Sequence, residues 1–96
     1  MTAIRLARHA GADIGRLVEF PQEEDPQAAG QTFDLIAGAI EVLASHPLIG
    51  RPVESGFREL VISRGRSGYL ALYDYDPVRD EIVVTRIRHQ REAGYQ

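Results

Sequence analysis

The sequence contains no cysteine and no lysine. Without thiols, neither a disulfide nor a thiolate-bound metal can staple the chain. Stability must come from apolar burial, in a core that 96 residues keep small. No apolar run approaches the roughly 20 residues that cross a bilayer. The opening stretch, MTAIRLARHAGAD, lacks the apolar centre of a signal peptide. The expectation is a cytoplasmic chain with no membrane partner, forming one domain over residues 1–96. A hydrophobic content of 44% and a charged content of 26% exclude the composition of a disordered chain.

All 11 residues counted as Lys+Arg are arginine, and they are unevenly spread. Residues 1–44 hold three arginines and seven acids, a net of −4, while residues 45–96 hold eight arginines and seven acids, a net of +1. An anionic partner should therefore meet the C-terminal half. The overall charge of −3 is not that of a plainly basic nucleic-acid-binding domain.

AIRLAR (3–8) alternates apolar and basic positions and predicts a first strand with Ile4 and Leu6 inward. Ile14, Leu17 and Val18 predict a helix over about 10–20, which Pro21 ends or kinks; QEED then reads as an acidic connector. Asp25 as N-cap and Pro26 at the first helical position start a second helix. Its apolar stripe runs through Phe33, Ile36, Ala37, Ile40, Leu43 and Ala44, and it ends near Ser45, before a loop in HPLIGRP. FRELVIS (57–63), YLALYDY (69–75) and EIVVTRIRH (81–89) read as strands joined by the hairpin-length turns RGRSG and DPVRD. The fold class is α+β: an N-terminal strand, an antiparallel helix hairpin and a three-stranded antiparallel meander forming one sheet.

Four motifs carry chemical suggestions. DYDPVRDE (74–81) has the acids of a calcium loop, but Arg79 stands where the sharp-turn glycine belongs and Val78 at a ligand position, so no metal is assigned. GRSG (65–68) matches the loop of an RNA-binding domain in which that loop joins two helices. Here it joins strands, leaving a solvated turn or an anion contact through Arg64 and Arg66. Ser45 and His46 lack a nucleophile elbow and read as helix-end residues. The last strand is different. Strict alternation puts Glu81, Val83, Thr85, Ile87 and His89 on one face and Ile82, Val84, Arg86 and Arg88 on the other. Its apolar start turns into Arg-x-Arg-His, either a solvated strand end or a surface whose arginine forks meet phosphates or carboxylates.

LIGRPV, FRELVI with SGYLALYDYD, and IVVTRIRHQREAGY, set behind a strand and two helices, resemble the ParE/RelE superfamily of type II toxin–antitoxin toxins. The ending is most similar to the ParE-type, plasmid-stabilisation branch. The resemblance covers nearly the whole chain and implies a toxin neutralised by a cognate antitoxin, as a homodimer or a toxin–antitoxin heterotetramer, with no cofactor. ParE-like members poison DNA gyrase; RelE-like members cut mRNA in the ribosome. RelE-type enzymes carry an arginine after the Gly-Tyr pair, where this chain has Leu70, and a basic residue where it has Ile62. Arg91 matches the arginine of their C-terminal element, and Tyr95 lies near their tail tyrosine. The resemblance thus implies a gyrase inhibitor binding its partners through Arg88, His89 and Arg91. The alternatives are a ribosome-dependent mRNA endoribonuclease using Arg64, Arg66, His89, Arg91 and Tyr95, or a non-toxic binding relative.

Overall fold

A computed structural model describes residues 2–24, 26–62, 68–92 and 94–95. The order of elements is β1 (Ala3–Leu6), α1 (Arg8–Glu24), α2 (Pro26–Ser45), β2 (Arg51–Pro52), β3 (Arg58–Val61), β4 (Tyr69–Asp76) and β5 (Glu81–His89). One sheet runs β1-β5-β4-β3-β2, with β1 parallel to β5 and the other pairs antiparallel. The α+β class agrees with the sequence reading. The proposed N-cap Asp25 and residues 64–67 of the RGRSG turn, with Arg64 and Arg66, lie outside the described residues.

Two boundaries differ from expectation. Helix α1 continues through Pro21 to Glu24, so residues 22–24 are helical rather than a connector. Proline forfeits one backbone hydrogen bond, and here that loss falls within the last turns of a long helix. Arg51-Pro52, read as loop, forms a short edge strand on β3. A proline is tolerated there because an edge strand has one side without a ladder partner.

The core lies between the helix pair and one face of the sheet. Ala10, Leu17, Ile36, Ile40 and Leu43 meet Leu60, Ala71, Tyr73, Ile82, Val84 and Ile87. Leu6 and Phe33, both expected inward, are 45% and 51% exposed. Leu6 ends an edge strand, where only one neighbour covers it. Phe33 stands over a groove along α1 lined by Gly11, Ile14, Gly15 and Val18, whose glycines leave the ring's outer side uncovered.

Strict alternation fails once along β5, and the failure matters. Leu72 pairs with Arg86 but Tyr73 with Val84, so Thr85 is an extra residue on β5. Its hydroxyl donates to the Leu72 carbonyl at 3.0 Å. Such a bulge shifts side-chain phase by one residue. Ile87 therefore joins Ile82 and Val84 in the core, each fully buried. Downstream, His89 turns to the helix side and Arg88 to the face that the helices leave open.

The ends of the sheet are fastened by polar contacts. Thr2 and Tyr75 both donate from their hydroxyls to Asp80 Oδ1, at 2.7 and 3.0 Å. Asp76 Oδ1 accepts from the Val78 and Arg79 amides, so two acids of the supposed calcium loop shape the turn. Across the molecule, Arg58 donates to the carbonyls of Leu48 and Gly50 at 3.2 and 2.7 Å, holding the loop before β2 against the sheet.

Candidate functional site

The C-terminal end of β5 is gripped from both faces of the sheet. On the helix side, Asp13 of α1 is 4% exposed. Its carboxylate accepts from Arg86 Nε at 2.9 Å, Arg86 Nη2 at 3.3 Å and the Ile87 amide at 2.8 Å. Burial works against the charged form. Donation from Arg86 and Ile87, with the charges of Arg86 and Arg16, outweighs it and holds the Asp13 carboxyl below the usual carboxylate range. Arg86 is thereby a structural residue, tying β5 to α1. Arg16 reaches from the same helix to Glu92 at 3.0 Å, and Glu92 also accepts from the His89 amide at 2.9 Å.

On the open face, Glu59 of β3 is 7% exposed. It accepts from Arg51 Nε at 3.1 Å and Nη2 at 2.5 Å, and from the Tyr95 hydroxyl at 2.8 Å. Burial opposes its ionisation, but the hydrogen bonds from Arg51 and Tyr95 and the nearby positive charges lower its pKa. Arg88 lies with its guanidinium carbon 5.3 Å from the centre of the Tyr95 ring, a cation–π distance. Its Nη1 donates to the Glu92 carbonyl at 2.6 Å, while its Nε is buried with no hydrogen-bond partner. An unpaired buried donor costs about 1–3 kcal/mol. These side chains, with Val53, Phe57 and Leu72, line a shallow cavity on the sheet.

The acid–base capacity of this cluster is small. Burial, donation to Glu59 and the charge of Glu59 raise the Tyr95 pKa well above that of an ordinary phenol, with Arg88 opposing. The phenol stays protonated at neutral pH and its proton is committed to Glu59. His89 lies elsewhere: its ring packs edge-on against Tyr69, with centroids 5.3 Å apart. Its Nδ1 accepts from the Arg91 amide at 3.1 Å, which assigns the neutral ring's proton to Nε2.

The sequence-predicted residues are therefore divided. Arg88 and Tyr95 share the open-face cavity. His89 faces the helix side, joined to Arg91 through backbone, and the Arg91 side chain is exposed. Arg64 and Arg66 lie outside the described residues. Sequence reasoning missed Glu59, Arg51, Asp13 and Arg16. Glu59 left a signal, because a glutamate between Phe57 and Val61 on an otherwise apolar strand face is placed for burial. No group of three His, Cys, Asp or Glu side chains able to hold a metal occurs among the described residues.

A helix hairpin on one face of a mixed, mainly antiparallel sheet, with an arginine-rich last strand, defines the ParE/RelE class of small toxins. Residues 4–94 match the family model of the ParE toxin of the type II toxin–antitoxin system parDE, and the chain belongs to that family. Among curated relatives, the toxin RelE3 of Caulobacter vibrioides is 36% identical over 92 residues, 96% of this chain and 98% of that one. RelE1 of the same organism is 35% identical over 83 residues, 86% and 87% of the two chains. Among solved structures, a chain of the chromosomal ParDE system from P. aeruginosa superposes with a TM-score of 0.75 at 24% identity, covering 93% of this chain and 96% of that one. A chain of the RelBE2 toxin–antitoxin complex from Mycobacterium tuberculosis gives 0.62 at 22% identity, covering 93% and 98%. At these identities the structures establish the fold alone.

Proposed function

We propose that this type II toxin inhibits DNA gyrase through a binding surface that wraps the end of β5, with Arg88 on the open face, His89 on the helix side and the exposed Arg91 just beyond them, and that a cognate antitoxin neutralises it in the cytoplasm. The observation that carries this reading is the division of the acid–base groups. The Tyr95 hydroxyl is bound to Glu59 on one face, whereas His89 packs on Tyr69 on the other. A nuclease needs its proton donor and acceptor converging on one phosphate. A poison that acts by binding needs only the surface.

The antitoxin's anchoring is supported by Phe33, a large apolar side chain exposed on α2 over the glycine-lined groove of α1, which suits a helix laid along the hairpin. The names of the two Caulobacter relatives favour a second reading, ribosome-dependent mRNA cleavage by an enzyme of the RelE type. The deciding experiment is gyrase supercoiling with purified toxin, alone and with the antitoxin, alongside mapping of mRNA 5′ ends after induction. Antitoxin-reversible loss of supercoiling supports the gyrase reading. Uninhibited gyrase together with new, ribosome-dependent mRNA ends supports the nuclease.

A further inference from the structure

Tyr95 forms part of the wall of the open-face cavity, beside Arg88, and the way it is held there is unusual. Beyond Gln90, whose amide still donates to the Gly68 carbonyl, the chain has left the ladder of the sheet. The tail past that point is held by side chains on opposite faces: Glu92 by Arg16 at 3.0 Å on the helix side, and Tyr95 by Glu59 at 2.8 Å on the open side. Gly94, between those two holds, has φ of +118°, a backbone state that other residues adopt only with strain. Arg88 lies beneath, stacked on the Tyr95 ring, with Nη1 on the Glu92 carbonyl and Nε buried without an acceptor.

This closed arrangement is internally opposed. It supplies Glu59 with a second donor, while Arg88 Nε beside it is buried without a partner. We propose that Tyr95 is a releasable plug: its ring lies against the Arg88 guanidinium at the wall of the cavity, and its withdrawal, pivoting at Gly94, frees that guanidinium to the cavity. Glu59 is the seat of the plug, and the Arg16–Glu92 pair is the hold on its stem. An ion pair with Arg16 41% exposed and a single phenol hydrogen bond are weak fastenings, open to competition from water or a partner. The inference concerns access to Arg88 and holds whether the toxin's target is gyrase or the ribosome.

The test is the rate at which phenylglyoxal, an arginine-specific reagent, modifies each arginine of the full chain, read by peptide mass spectrometry. Arg79, 78% exposed at the far hairpin turn, is the internal reference. In the wild-type chain Arg88 should react at least tenfold more slowly than Arg79. Tyr95→Phe removes the seat bond and Arg16→Gln the stem bond, each at a half-buried or exposed position. Either change should raise the Arg88 rate at least threefold, and both together more, with Arg79 unchanged. An Arg88 rate equal to that of Arg79 in the wild-type chain would mean that no plug exists. An Arg88 rate unmoved by either substitution would mean that the cover is not releasable through these contacts. Either result overturns the proposal.

Discussion

The Tyr73 hydroxyl accepts the Gly50 amide at 2.9 Å and donates to the Pro47 carbonyl at 2.8 Å, so one fully buried phenol closes the loop between α2 and β2. Burial raises its pKa, which keeps the donor proton in place through the neutral range. The approach is possible because residue 50 has no side chain. A Cβ there would lie 2.6 Å from Tyr73 Cε1 and 2.7 Å from the hydroxyl oxygen. Gly50→Ala should therefore destabilise the fold by about 1–3 kcal/mol, the usual cost of overpacking. Tyr73→Phe should cost about 1–3 kcal/mol by stranding the Gly50 amide and the Pro47 carbonyl. Urea unfolding of both single variants and the double variant tests the coupling. Strictly additive losses would show that the two residues do not act as one closure.

Four carboxylates set the response to acid. For Asp13, Glu59 and Glu92 burial opposes ionisation, and donors with neighbouring arginines win, lowering each pKa. Asp80 is lowered by the hydrogen bonds it accepts from the Thr2 and Tyr75 hydroxyls. A group whose folded pKa lies below its unfolded value contributes stability above the unfolded value, and that contribution is lost as pH falls through the folded one. Unfolding free energy should thus be flat near neutrality and fall steadily as pH drops below the ordinary carboxylate range, about 4. In Asp13→Asn, the curve should start lower at pH 7 and fall less steeply. Urea midpoints measured from pH 7 to pH 2.5 decide this; parallel curves for variant and wild type would remove Asp13 from the account.

Of the surface proposed for the target, Arg91 separates cleanly from these structural contacts. Arg91 is exposed and offers only its backbone to His89. Arg91→Ala should change stability by no more than about 0.5 kcal/mol. It should nevertheless weaken gyrase inhibition at least tenfold, read as the toxin concentration that halves supercoiling. Full inhibition by the folded variant would remove Arg91 from the target surface.

Much of this architecture was legible in the chain. The start of α2 at Pro26 and its end at Ser45 follow from proline chemistry and helical spacing. Strand β5 spans the residues its apolar pattern outlines. The hidden part was non-local. The Thr85 bulge moves Ile87 into the core and Arg88 out of it, and a bulge depends on the partner strand's register, which alternation along one strand does not contain. Arg86 is structural through Asp13, which lies 73 residues away. Glu59 and Tyr95 meet across 36 residues for the same reason, with the tail folding back onto β3. Short-range patterns foretold the elements, and the site is made where distant elements cross.

Phe33 offers a test of the antitoxin surface that spares the core. It shares the α2 stripe with Ile36 and Ile40, yet its ring is 51% exposed over the glycine-lined groove of α1, where substitution costs little packing. Ile36, three residues on, is 1% exposed, and its loss would unfold the chain before it informed on binding. Phe33→Asp puts a charge where an apolar partner side chain would lie, and an unpaired charge buried at an interface costs several kcal/mol. The variant should keep its midpoint of thermal unfolding within a few degrees and lose antitoxin affinity at least tenfold, measured by calorimetric titration. Its gyrase inhibition should be unchanged, because Arg91 and the end of β5 are untouched. Toxin that is still active but no longer restrained is the outcome this surface requires; undiminished antitoxin affinity would move the docking site off the α1–α2 groove.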